Sequence, residues 1–391
     1  MENYIKITDQ IIAALIPYQA IIFAILLLIF SRKNGKSKRF LGIYMIFNTI
    51  LYSYLFFYYS GYYETIIYPY YFIIPIVLLI QPFFYFYIRS LTNADFKCSY
   101  KLLIHFLPSF VFLIMNLSLY SFLSHSEKLQ LMSLKIDDGN KILRFFLQMH
   151  LYGYHYILSL QALVYLILII KSILKYKKEL PENFANFEGV KLNWLIFLLV
   201  FYFTIATIQE SLGYIDNLFY DINARIWYNI FILFTILFIG ISGLIQKETF
   251  NNEETGKGEN KENQPKEKYK SSTLKDELKQ ELSIKLKKYL EEEKPYLNKD
   301  FKLNDLSIKL GTNRQYLSQI INETYNKNFY TLINEYRINE AIEMFSKQKH
   351  KNLTINGVAN SVGFNSKSTF NSLFKKFTGK TPTQYIKENG F

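Results

Sequence analysis

Two stretches toward the C-terminal end set hydrogen-bonding side chains at helical spacing beside an apolar stripe. In the first, Tyr316, Leu317, Ile320 and Ile321 mark the inward face. That leaves Gln315, Ser318, Gln319 and Asn322 on the polar face, with Arg314 at its N-terminal end. In the second, Phe370, Leu373, Phe374 and Phe377 point inward, and Lys367, Ser368, Asn371, Ser372 and Lys375 are left for solvent or a partner. Amide, hydroxyl and cationic groups on one helix face suit the base edges of a DNA groove, where a bidentate contact discriminates by about 1 to 3 kcal/mol. Thr369, Asn371, Lys375 and Lys376 are the candidates for phosphate, the main source of sequence-independent affinity. From Lys347 onward the only acid is Glu388, against Lys347, Lys349, Lys351, Lys367, Lys375, Lys376, Lys380 and Lys387. A solvated or lipid-facing surface is the alternative role of these lysines.

Each polar face needs a frame. Leu303, Leu306 and Leu310 share one face of a preceding helix, Gly311 permits a left-handed turn, and Asn313 can cap the helix that follows. The second unit repeats the design with Thr354 as cap, Val358 and Ala359 inward, Gly363 at the turn and Phe364 as anchor. Between them, the pattern from about Tyr330 to Ser346 predicts a long helix burying Leu332, Ile333, Tyr336, Ala341, Ile342 and Phe345. Upstream, Leu274, Leu278, Leu282, Leu286 and Leu290 recur every four residues. That spacing drifts about 40° per step, so it predicts a docking helix before a coiled-coil seam, with a dimer contact left open.

The stretches Leu303 to Gly311, Tyr316 to Glu323, Asn334 to Ala341, and Gly363-Phe364 through Thr381-Pro-Thr-Gln-Tyr385 resemble the AraC/XylS family of bacterial regulators, over about residues 283 to 388. The resemblance implies two helix-turn-helix units joined by a long helix, each inserting its second helix into successive major-groove segments. It puts the base-reading positions on Gln315, Ser318 and Gln319 in the first unit and on Lys367, Ser368 and Ser372 in the second, with Arg314 and Asn322 beside them on the polar face. Ser307 stands where the family usually has alanine, and Asn326 replaces a common glycine but can adopt the left-handed conformation. The short Ser368 and Ser372 suggest that the second unit contributes mainly backbone contacts.

The rest of the chain is of another kind. Of 391 residues half are apolar and 18% aromatic, which is too hydrophobic for an ordinary soluble enzyme. Seven windows, about 11–30, 40–60, 69–88, 102–123, 149–170, 192–211 and 227–246, reach the roughly 20 residues needed to cross a hydrocarbon core of about 30 Å. Arg32, Lys33, Lys36, Lys38 and Arg39 in the first loop, Arg89, Lys97 and Lys101 in the third, and Lys171, Lys175, Lys177, Lys178 and Lys191 in the fifth put those loops in the cytoplasm. The N-terminus is then outside, and the C-terminal domain is inside at a bacterial inner membrane. Loop four, with Lys128, Lys135, Lys141 and Arg144, runs against this bias, so five or six spans stay open. The stretch from Ile11 to Phe30 has no small-residue cleavage site, so the first span is expected to stay attached.

Polar residues within spans are costly and invite a role. Gln81, Asn116, His155, Gln161 and Glu210 could outline a pocket open to the outside, with Glu210 facing a ligand cation. Interhelical hydrogen bonds or interfacial solvation explain them equally well. Pro75 and Pro82 should kink the third span and free backbone carbonyls near Gln81. Tyrosines and phenylalanines from Tyr52 to Tyr71 form either an interfacial belt or an aromatic ligand site. Cys98 is the only cysteine, and His150 and His155 lie about 140° apart around a helix, so neither a disulfide nor a metal site is expected.

The expected fold is all-α. A transmembrane domain (1–246) is followed by a polar linker (247–272) expected to be flexible and a DNA-binding domain (273–391). The net charge of +13 suits promoter DNA and anionic lipid alike. RNA polymerase, a second copy of the chain and a small-molecule or envelope signal are the further candidate partners. No cofactor is expected, and no catalytic motif is evident. The function implied is transcriptional regulation from the membrane. The alternatives are a passive membrane anchor for the same DNA reader, and a transporter or receptor whose tail binds protein or lipid.

Overall fold

The structure, a computed structural model, describes residues 2–93, 96–133, 141, 145, 154–186, 192, 194–196, 222–246, 272–347 and 353–391. Most of the window at 192–211, Glu210, and the polar linker but for Ser272 lie outside these residues. The described chain is helical throughout its regular elements, as its residue patterns predict. It divides into two compact units, Met1–Leu174 with Leu192–Glu254, and Lys175–Lys191 with Thr255–Phe391.

In the first unit the long helices are α1 (Glu2–Asn34), α2 (Lys36–Tyr59), α4 (Tyr70–Thr92), α5 (Leu107–Phe122), α7 (Tyr154–Asn183, as far as Leu174) and α8 (Ile222–Ile245). Short helices α3 (Tyr63–Ile66) and α6 (His125–Ser133) fall between them. Six helices among the described residues are long and apolar enough to cross a membrane: Ile7–Arg32, Lys36–Tyr59, Tyr70–Thr92, Tyr100–Ser118, Tyr156–Asn183 and Arg225–Ile245. The helix that carries the fifth window, α7, runs on past that window to Asn183, with Ile173, Tyr176 and Leu180 continuing a buried stripe through the lysines.

Helix α4 carries Pro75 and Pro82. A proline has no N–H for the carbonyl four residues earlier, so Tyr71 and Leu78 each lose a helical donor. Asn116 Nδ2 donates to Tyr71 O at 2.9 Å, and Gln161 Nε2 donates to Leu78 O at 2.8 Å. Ser109 Oγ adds a bond to Pro75 O at 2.7 Å. Two of the residues considered for a ligand pocket thus have amide donors committed to the backbone that the prolines free.

A pairing that the sequence pattern did not suggest ties α1 to α8. Arg225 donates twice to Asp9 Oδ2, at 2.8 Å from Nε and 2.6 Å from the guanidinium end, and Asn229 Nδ2 donates to Asp9 Oδ1 at 3.1 Å. Asp9 is only 3% exposed. Breaking a buried pair strands its partner at a cost of about 3 to 5 kcal/mol, so Asp9→Ala should lower the unfolding midpoint of the detergent-solubilised chain, followed by intrinsic tryptophan fluorescence. Joint replacement by Asp9→Leu and Arg225→Met should recover most of that loss.

The second unit follows the long α9 (Ser272–Glu293) with α10 (Leu303–Lys309), α11 (Arg314–Tyr325), α12 (Phe329–Ser346), α13 (Ile355–Ser361), α14 (Lys367–Thr378) and α15 (Pro382–Asn389). Two cores share α12. Its first half joins Leu286, Leu290, Leu303, Leu306, Leu317 and Ile321, and its second half joins Val358, Ala359, Phe364, Phe370 and Phe374. Leu282, Leu286 and Leu290 face the first core while Leu278 is exposed, so the lower part of the leucine stripe docks within the unit.

Candidate nucleic-acid interface

The two recognition elements are built by the same local devices. Asn313 Oδ1 accepts from Tyr316 N at 2.8 Å and starts α11, and Asn326 ends it in the left-handed conformation at φ 51°. Thr354 Oγ1 accepts from Gly357 N at 3.1 Å, and Ser366 Oγ from Thr369 N at 3.2 Å. Each α10–α11 and α13–α14 pair turns through a glycine of positive φ, Gly311 at 68° and Gly363 at 96°. Ser307 is buried with its hydroxyl donated back to Asn304 O at 2.8 Å, so it takes the small-residue position without an orphaned group.

With their apolar faces buried, α11 and α14 present polar faces outward. On α11, Gln315, Gln319 and Asn322 are exposed, and Arg314 and Ser318 are half-buried. On α14, Lys367, Ser368, Ser372, Lys375 and Lys376 are exposed, whereas Thr369 and Asn371 are half-buried. Thr369 Oγ1 accepts from the Ser366 hydroxyl at 3.0 Å, and Asn371 Oδ1 lies inside without a hydrogen-bond partner among the described residues. Thr369 and Asn371 therefore face partly into the domain. Gln319 Nε2 donates to Glu323 Oε1 at 2.7 Å, and Glu323 pairs with Lys279 of α9, whose hydrogen bond holds that carboxyl below the usual carboxylate range.

The part of this unit that residue patterns missed is its hub. Arg337 of α12 is fully buried, and among the described residues it has no carboxylate partner. Its guanidinium donates to Tyr296 O at 2.7 Å, Asn298 O at 2.8 Å and Ala185 O at 3.3 Å, and to the Asn334 side-chain oxygen at 3.3 Å. It also lies 5.6 Å from the Phe364 ring centroid. Burial pushes its pKa down to about 10, which still leaves it protonated at neutral pH. One cation thus joins the turn after α9, the helix shared by both cores and the turn of the second helix pair. The Lys294–Tyr296 turn is fixed from its other side by Glu340, which accepts from Lys294 Nζ at 2.7 Å and from Tyr296 OH at 3.1 Å.

Of the residues considered for a ligand pocket, Gln81, Asn116 and Gln161 lie on α4, α5 and α7; the His155 side chain and Glu210 fall outside what is described. Among the described residues, no group of three or more His, Cys, Asp or Glu could hold a metal ion.

Residues 306–388 match the model of a family described as "Helix-turn-helix domain". The chain is 31% identical over 87 residues to the "Msm operon regulatory protein" of Streptococcus mutans, an alignment spanning 22% of this chain and 30% of that protein. No solved structure matches the chain. The C-terminal part of the chain, residues 306–388, is an AraC-type helix-turn-helix domain.

Proposed function

We propose that the chain is a membrane-embedded, one-component transcriptional regulator that binds promoter DNA through α11 and α14 on the cytoplasmic side. The observation that carries it is the pairing of two helix-turn-helix units, polar faces outward, with six helices of membrane-crossing length and composition. The family match and the regulatory protein of Streptococcus mutans support the DNA-binding part. The loop lysines and arginines, concentrated on alternate connections of the seven expected spans, support a cytoplasmic C-terminus; this counts the window at 192–211, most of which lies outside the described residues. Gln315, Ser318 and Gln319, with Lys367, Ser368 and Ser372, are the proposed base readers, flanked by Arg314 and Asn322. Lys375 and Lys376 are the proposed phosphate contacts, with Thr369 and Asn371 secondary because they are half-buried. The first unit would sense a small-molecule or envelope signal and shift the DNA-binding unit between two states. A complete switch from 1:99 to 99:1 needs about 5.5 kcal/mol of differential ligand affinity.

The test is DNA binding by the intact chain in lipid nanodiscs across a salt series. Lys375→Ala and Lys376→Ala should each weaken binding about equally on all sequences and reduce the logarithmic salt slope by about 1. Gln319→Ala should instead relax preference at one base position while leaving the slope alone. Binding that is insensitive to salt and to all three changes would exclude the proposal.

A further inference from the structure

Resting on the DNA-binding function just proposed, we infer that the segment Lys175–Asn186 is a built-in competitor of DNA, its Glu182 carboxylate occupying the reading face of the first helix-turn-helix unit. Ser318 Oγ donates to Glu182 Oε2 at 2.8 Å, and Asn322 Nδ2 donates to the same oxygen at 3.2 Å. These two side chains lie on the polar face of α11, one helical turn apart, where base edges would be read. A carboxylate oxygen that collects both donors does what a base or phosphate acceptor does, and its negative charge excludes a phosphate from the same place.

The segment is anchored immediately beyond Glu182. Phe184 and Ala185 are buried, and Ala185 joins the first core beside Leu286 and Leu290. Phe184 pairs with Lys302 in an isolated antiparallel bridge, and Ala185 N donates to Phe301 O at 3.3 Å. Ala185 O accepts from Asn334 Nδ2 at 3.1 Å and from Arg337. The anchor uses groups interior to the domain, whereas Glu182 uses groups at its reading surface. The anchor can therefore persist while the Glu182 contact opens.

The experiment compares full-length chains in nanodiscs, using a duplex enriched from a random-sequence library by the Glu182→Ala chain. Relative to wild type, Glu182→Ala should bind that duplex about tenfold more tightly, equivalent to about 1.4 kcal/mol, with Glu182→Gln in between. Glu179→Gln removes the same charge one turn earlier, where Glu179 pairs with Lys175 at 3.6 Å, and should leave affinity within about twofold of wild type. Equal gains from the Glu179 and Glu182 changes, or no gain from Glu182→Ala and Glu182→Gln, would overturn the competitor and leave the DNA-binding function standing. Failure of every chain to enrich a duplex would bring down that function, and the competitor with it.

Discussion

Replacing Arg337 with alanine should lower the stability of the C-terminal unit by about 4 kcal/mol. The substitution strands the carbonyl of Tyr296 and removes a charged donor from those of Asn298 and Ala185, which keep only Phe301 N at 3.3 Å and Asn334 Nδ2 at 3.1 Å; a buried acceptor left without its donor costs about 1 to 3 kcal/mol, and a lost hydrogen bond to a charged group about 1.5 to 3 kcal/mol. Arg337→Lys should be nearly as damaging, because one ammonium cannot reproduce a planar fork serving carbonyls on two chain segments. Pulse proteolysis of the intact chain in detergent, read at fragments from the C-terminal unit, measures the loss. The sign of the pH dependence follows from the lowered pKa, since the unfolded chain holds the Arg337 proton more tightly than the folded one. Both states are protonated at neutral pH, so the burial penalty is fully present there. It is relieved only above about 10, where the unfolded state binds more protons and stability gains with pH.

Gly363→Ala should cost about 3 kcal/mol by a different route. At φ 96° an L side chain is strained by about 1 to 2 kcal/mol whatever the space around it. Here the space is also filled, since a Cβ would stand 2.6 Å from Tyr296 O, 2.9 Å from Leu297 O and 2.9 Å from Arg337 Nε. Two of those neighbours are backbone, so no rotamer change relieves the overlap, which adds about 1 to 3 kcal/mol. Gly379 is the control: its φ is 80° but nothing lies within 4 Å, so Gly379→Ala should carry only the conformational cost. Comparable losses at the two glycines would mean that the Tyr296–Arg337 hub does not crowd Gly363.

Both predictions meet at contacts that residue patterns could not show, and the division is physical. Caps and turns are local, so Asn313, Thr354, Gly311, Gly363 and the left-handed Asn326 were legible from their immediate neighbours. The stripes of α11 and α14 were legible for the same reason. Arg337 instead looked like one more polar residue on an amphipathic helix, because its acceptors lie 41, 39 and 152 residues away. Asn116 and Gln161 stood out as polar groups among apolar ones. Their roles, however, depend on carbonyls freed by prolines in another helix, 45 and 83 residues distant from the donors. Glu182 carried no signal at all, since a carboxylate beside Glu179 and a run of lysines reads as a solvated loop. The pair Asp9 and Arg225 was likewise hidden, being 216 residues apart.

The most direct measurement is recovery of DNA cross-linked to the intact chain in growing cells, taken from the membrane fraction and sequenced. Discrete promoter sites are expected, each holding two half-sites about 10 to 10.5 base pairs apart, one per helix-turn-helix unit, and lost when Gln319 and Lys375 are both replaced by alanine. Recovery no greater than from cells lacking the chain, or sites that persist in that double variant, would contradict a DNA reader held at the membrane.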